Sequence, residues 1–179
     1  MKKNTRNPNK NSDVVATFLN LLLANEYVLY TKTKTAHWNM DGENYFELHL
    51  FLENQCNILS DMMDDVAEQI RSLGQYATGS LKNFISIAAM TDDNHNFKNS
   101  KQIFDTILDD HETIIQVIRH EIQPLSHQII DPCTIIFMAG IMERHEKMLR
   151  LIRSFLSEPD FIHPKPLRNY NTLFANRKN

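Results

Sequence analysis

Five side chains carry the first chemical signal: His37, His49, Glu53, Asp64 and Glu68. Imidazole and carboxylate together suit iron, manganese or zinc better than calcium, and hard carboxylates hold Fe(III) after oxidation. If residues 43–73 form one helix, turning about 100° per residue places His49, Glu53, Asp64 and Glu68 within an arc of about 100°. The apolar stripe of Tyr45, Leu48, Leu52, Leu59, Met62, Val66, Ile70 and Leu73 is centred about 140° away. A solvated face would also be polar, so length is the stronger discriminator. His49 and Asp64 are separated by about 22 Å along such a helix, too far to share an ion within one chain. An antiparallel copy of the same helix closes that gap. A two-fold dimer would then hold two composite sites, each with His37, His49 and Glu53 from one chain and Asp64 and Glu68 from the other. The same arithmetic sets Cys56 and Asn57 near the two-fold axis.

Four long helices would position these residues. The first is expected after the capping pair Ser12-Asp13, with Val15, Phe18, Leu19, Leu22 and Leu29 at helical spacing, ending at Asp41-Gly42. The second ends at Gly74 in the C′ position. Thr78-Gly79-Ser80 reads as a loop and cap before a short helix over 81–90, and the polar run 91–100 breaks the pattern. A third helix over about 101–123 carries Ile103, Ile107, Ile114, Ile118 and Ile122 and stops before Pro124. Asp131-Pro132 opens a fourth, to about Ser157. The expected fold is all-α, a four-helix bundle with a short extra helix in the crossover between the second and third long helices. The histidines on or beside the third helix, His111, His120 and His127, read as surface or capping groups.

Composition agrees with helices and excludes several classes. Among 179 residues only 4 are glycine and 6 proline, poor stock for a turn-rich β-sandwich. Cys56 and Cys133 cannot build a disulfide framework and read as buried thiols. No apolar run approaches the roughly 20 residues of a membrane span, and the basic N-terminus lacks a signal peptide's apolar segment, so a cytoplasmic protein is expected. The net charge of −3 is unevenly spread. Residues 1–12 hold Lys2, Lys3, Arg6 and Lys10 and no acid, and residues 161–179 hold Lys165, Arg168, Arg177 and Lys178 and no acid. The body between carries all 22 acidic residues, which suits cations, whereas basic tails suit a polyanion. The expected division is a basic tail over 1–12, the bundle over 13–157 and a second basic tail over 158–179.

The stretch KTKTAHWNMDGENYFELHLFLENQCNILSDMMDDVAEQIRSLG resembles the signature of the Dps proteins, the mini-ferritins. Its specific elements are His37-Trp38-Asn39-Met40, Gly42, Leu48-His49 and Asp64-x-x-Ala67-Glu68. GSLKNFISIA and ERHEKMLR are similar to the family's short crossover helix and last helix. The resemblance implies a ferritin-like bundle assembled as a hollow dodecamer, and a ferroxidase that oxidises Fe(II), preferentially with hydrogen peroxide, and stores Fe(III) mineral. His37, His49 and Glu53 match one half-site, Asp64 and Glu68 the other. Trp38 stands where the family keeps a tryptophan beside the iron, there to take an electron during oxidation; as a residue alone, it could equally be a core anchor. No organic cofactor is implied. The chain departs from the pattern at Gln69, where arginine is frequent, at Leu50, where glutamate is frequent, and near Met148-Leu149, where a tryptophan is missing. Leu50, with Asn54 one turn on, weakens the usual iron-nucleating patch. There is no Glu-x-x-His pair of the kind that larger ferritins use within one bundle. A rival reading is a non-specific DNA-compacting shell acting through the basic tails, nucleoid-associated, with iron chemistry secondary. A third is a silent relative whose site holds zinc or nothing.

Overall fold

The computed structural model describes residues 8–41, 44–91, 100–127 and 132–157. Their order is α1 (Pro8–Asn39), α2 (Tyr45–Ser72), α3 (Leu81–Ile87), α4 (Ser100–His127) and α5 (Pro132–Ser157). No strand occurs among the described residues. α1 packs on α2 and α4 on α5, the two pairs join through α1 against α4 and α2 against α5, and α3 lies on α1. The all-α bundle with a short crossover helix is therefore the observed architecture. Leu19, Leu22 and Leu29 of α1 meet Leu52 and Leu59 of α2, Ile107 and Ile114 of α4 and Ile152 of α5 in one core, all nearly inaccessible. Each such side chain contributes roughly 1.5–3 kcal/mol by leaving water. Phe51, Phe104 and Phe155 close one end, with ring centroids 4.6–6.1 Å apart.

α1 begins at Pro8, earlier than its apolar spacing suggests. Ser12 and Asp13 therefore lie inside the helix and fasten its neighbour instead of capping it. The Ser12 hydroxyl donates to the Leu73 carbonyl at 2.9 Å, and Gln75 Nε2 donates to Asp13 Oδ1 at 2.7 Å. α1 is also long and apolar enough, by length and composition, to cross a membrane, which the sequence reading did not anticipate. It is the core helix of the bundle, and its polar residues Asn25, Glu26 and Lys32 are buried against partners described below.

The end of α2 follows expectation closely. Gln75 N–H donates to the Ile70 carbonyl and Gly74 N–H to the Arg71 carbonyl, and Gly74 has φ +78°: a Schellman cap. A Cβ at Gly74 would meet nothing within 4 Å, so only the backbone conformation selects glycine. Gly74→Ala should cost about 1–2 kcal/mol by forcing a left-handed alanine, whereas Gly79→Ala should cost little. Urea unfolding of the two variants checks this.

α3 is shorter than expected and ends at Ile87. Ser80 occupies its N-cap position without a side-chain cap bond. The crossover is instead held from α1: Asn20 Oδ1 accepts from Thr78 N–H at 2.8 Å, Asn25 Oδ1 accepts from Ala89 N–H at 2.7 Å, and Tyr27 stacks on Phe84 at 4.6 Å. α4 runs past Pro124 to His127. Proline this close to a helix end removes one hydrogen bond and leaves the preceding turns intact. The expected turn at Gly42 and cap at Asp131 lie outside the described residues, as do Lys2, Lys3, Arg6, Lys165, Arg168, Arg177 and Lys178.

Candidate metal centre

The α1–α2 hairpin brings His37 and His49 together. Both rings lie near the turn end of the pair, His37 at the last turn of α1 and His49 in the first turns of α2. Their centroids are 3.8 Å apart with the planes inclined by 32°. Tyr45, one turn before His49, packs on it at 5.0 Å. His37 is buried, and both of its nitrogens and His49 Nδ1 have no hydrogen-bond partner among the described residues. Buried polar atoms without partners are rare and call for a ligand, an ion or a water. Burial first, then the neighbouring His49 and Lys34, depress the His37 pKa, while Glu53 opposes them. The neutral imidazole favoured in this way is the form that ligates metals. Glu53 follows His49 by one turn and is exposed.

Asp64 and Glu68 stand elsewhere. Both are exposed on α2, about 22 Å and 28 Å along the helix from His49. Asp64 lines an open acidic concavity with Asp61, Asp65, Ile58 and Arg144, where Arg144 donates to Asp65 at 2.6 Å. The buried residues of α2, from Leu48 to Ile70, occupy the opposite side of the helix, so the separation of polar and apolar faces holds. Within one chain, no group of three or more His, Cys, Asp or Glu among the described residues can hold a metal. The structure thus assembles the histidine half and leaves the carboxylate half far away.

Trp38 is 69% exposed, so it anchors no core in its own chain. Phe46 and Leu50 are also more than half exposed. These three side chains, with Tyr45, put apolar surface beside the histidine pair. Cys56 is buried, and burial raises its thiol pKa, but Cys133 is exposed, contrary to the sequence reading. Gln69 Nε2 reaches Thr134 Oγ1 at 3.4 Å and so ties α2 to α5.

His111 requires a larger correction. It is fully buried, not at the surface, because Ile107, His111, Ile114 and Ile118 follow one helical stripe. His145 stands in the same way between Ile141 and Met148, and Glu26 between Leu22 and Leu29. His145 and Glu26 were missed in the sequence reading although that spacing could have found them. Glu26 Oε1 lies 2.7 Å from His145 Nε2, and His145 Nδ1 lies 2.8 Å from His111 Nδ1. Nearby, Lys32 Nζ donates to both Asp110 oxygens at 2.9–3.0 Å, also in the core. His120 is exposed as expected. The side chain of His127 lies outside the described residues.

The family model described as Ferritin-like domain matches residues 16–162. A low temperature-induced protein of Nostoc sp., all0458, is 30% identical over 84% of this chain and 86% of its own length. The DNA protection during starvation protein of Helicobacter pylori is 26% identical over 76% of this chain and 94% of its own. The Dps structure from Vibrio cholerae O1, described as a member of a superfamily of ferritin-like diiron-carboxylate proteins, superposes with a TM-score of 0.77 at 25% identity, covering 83% of this chain and 92% of that one. The chain belongs to the Dps family. Dps from Thermosynechococcus elongatus shares the fold with a TM-score of 0.78 at 24% identity, over 86% of this chain and 96% of that one. As a Dps protein it carries the ferritin-like bundle, with the His37–His49 pair at the turn end of the first hairpin.

Proposed function

We propose that this Dps protein is a ferroxidase and iron store whose sites form between two chains. The observation that carries the proposal is the His37–His49 pair, with three buried nitrogens lacking partners, set on an apolar rim too exposed for a lone subunit. A two-fold mate running antiparallel along α2 covers Trp38, Phe46 and Leu50 and delivers Asp64 and Glu68 to the histidines. Fe(II), the substrate, enters through polar pores drawn by the acidic body and is held by His37, His49 and Glu53 of one chain with Asp64 and Glu68 of the other. One hydrogen peroxide takes two electrons, one from each of two ferrous ions, which become ferric, and dioxygen reacts more slowly. The product moves inward and mineralises inside a dodecameric shell in the cytoplasm, so that peroxide is consumed without free hydroxyl radical. Trp38, beside the site, takes part in one-electron transfer during oxidation and so limits radical escape.

The test starts from protein stripped of metal. Fe(II) is added without oxygen, then peroxide, while ferric absorbance and particle size are followed. Rapid oxidation in a particle near twelve subunits, with iron remaining soluble, supports the proposal. A shell of that size without accelerated oxidation overturns the ferroxidase assignment.

The second reading is a DNA-compacting shell, favoured by tails of +4 over residues 1–12 and 161–179. Many such tails on one particle would bind phosphate non-specifically and lose affinity steeply with salt. Truncation of both tails should abolish DNA retardation and leave peroxide-dependent iron oxidation within about twofold of the full chain, because all five proposed ligands lie in the bundle. A mobility-shift assay at low and high salt, paired with the oxidation assay, checks both halves.

A further inference from the structure

The buried Glu26–His145–His111 line has no part in the proposed iron chemistry. It joins three helices: Glu26 from α1, His111 from α4 and His145 from α5, all at zero exposure. His145 uses opposite ring nitrogens for its two contacts, so the three side chains do not converge on a common point. They form a relay.

With both rings neutral, two hydrogen atoms satisfy it. His145 Nε2–H donates to the Glu26 carboxylate, and His111 Nδ1–H donates to His145 Nδ1. Only acceptors then remain over, Glu26 Oε2 and His111 Nε2, and neither has a partner among the described residues. An unpaired acceptor is tolerated more readily than an unpaired N–H. One further proton would cancel the charge of the Glu26 carboxylate but has no acceptor to point at. Whichever way the hydrogens shift, one ends on His111 Nε2 or on Glu26 Oε2, buried and without an acceptor, which costs the full desolvation of that group.

We propose that this relay is an acid-sensitive clasp that fastens α1 to α4 and α5 when it lacks the extra proton and releases when it gains one. Burial, then the neighbouring His145, hold the His111 pKa well below the ordinary histidine range, in accord with that geometry. Other charged groups along the seam pair with one another, and Arg150 of α5 lines its outer surface. Lys32 of α1 is committed to Asp110 of α4. Glu112 of α4 pairs with Arg153 of α5, and Glu146 of α5 with Arg119 of α4, both at the surface. The buried face of α2 is apolar apart from Gln55 and Cys56.

The sign follows directly. An unfolded histidine takes a proton near pH 6.5, while the folded relay refuses it. The relay's stability is complete above about pH 6.5. Below it, the proton withheld from His111 lowers the folding equilibrium constant about tenfold per pH unit, until His111 itself protonates in the folded chain.

His111→Asn is the discriminating variant, since its amide N–H₂ stands where Nδ1–H does and cannot titrate. Urea unfolding of the full chain from pH 7.5 to 5.0 should show the native protein taking up about one proton more on unfolding than His111→Asn does. Amide exchange of α1 between Asn20 and Thr33, corrected for intrinsic rates, should accelerate on acidification in the native chain and not in the variant. Equal pH slopes for the two chains overturn the clasp. If His111→Asn does not fold, ring C2–H exchange of the native chain decides. His111 protonating well below the exposed His120, together with loosening of α1, supports the clasp, and equal titration of the two rings overturns it.

Discussion

A chain with both His37→Ala and His49→Ala consumes no more peroxide in the presence of Fe(II) than buffer does. The expected fall is at least about 100-fold, beyond the 10–100-fold that loss of an outer-shell partner costs a metal site. Folding should survive. His37 Nδ1 and Nε2 and His49 Nδ1 make no hydrogen bond among the described residues, so removing these atoms breaks none there, and alanine is the best helix former. Unchanged circular dichroism with lost oxidation is the expected pair of results. Oxidation that persists in a folded double variant would remove the histidine pair from the mechanism. Substituting only the carboxylates, Asp64→Asn with Glu68→Gln, should give the same loss although these residues lie more than 20 Å away on α2.

The largest effect on stability is expected at Lys32. This ammonium is 8% exposed and grips both oxygens of Asp110 in the core. Lys32→Met leaves the Asp110 carboxylate buried without its cation and should destabilise the fold by about 3–5 kcal/mol. Adding Asp110→Leu should restore most of that loss, since an apolar pair of similar volume is often neutral or better in a core. The exposed pair Arg144–Asp65 provides the contrast: Arg144→Ala should cost less than about 1 kcal/mol. Urea midpoints of the two single variants and the double variant measure the series. A Lys32→Met cost no greater than that of Arg144→Ala would show that the buried pair contributes nothing.

The residues that position the site were legible because they obey simple periods. The Leu48-to-Ile70 stripe gave α2 its buried face, and Gly74 its end. His37 and His49 flank a hairpin, and antiparallel helices must bring such positions together. The 15-residue gap to Asp64 was legible for the same reason, since rise per residue is fixed. Less legible were polar groups whose partners come from distant helices. Asp110 is buried on Lys32, 78 residues away, and nothing in its local spacing announces that partner. His111, His145 and Glu26 each sit at an apolar-stripe position, and only the bundle shows that they satisfy one another. The start of α1 was misplaced because its first turn carries no apolar side chain, so periodicity has nothing to register there. Exposure of Trp38 was hidden because a lone tryptophan in a helix reads equally as a core anchor.

The two-chain site is tested most directly by mixing two inactive chains. One carries His37→Ala with His49→Ala, the other Asp64→Asn with Glu68→Gln. In a mixed dimer one site combines both defects, and the other combines intact histidines with intact carboxylates. Random pairing at equal expression makes half of the dimers mixed, so about a quarter of native oxidation should return in the co-expressed shell. Each variant expressed alone should stay inactive. If co-expression gives mixed shells, shown by mass spectrometry, and oxidation remains at the level of the single variants, the site does not form between chains.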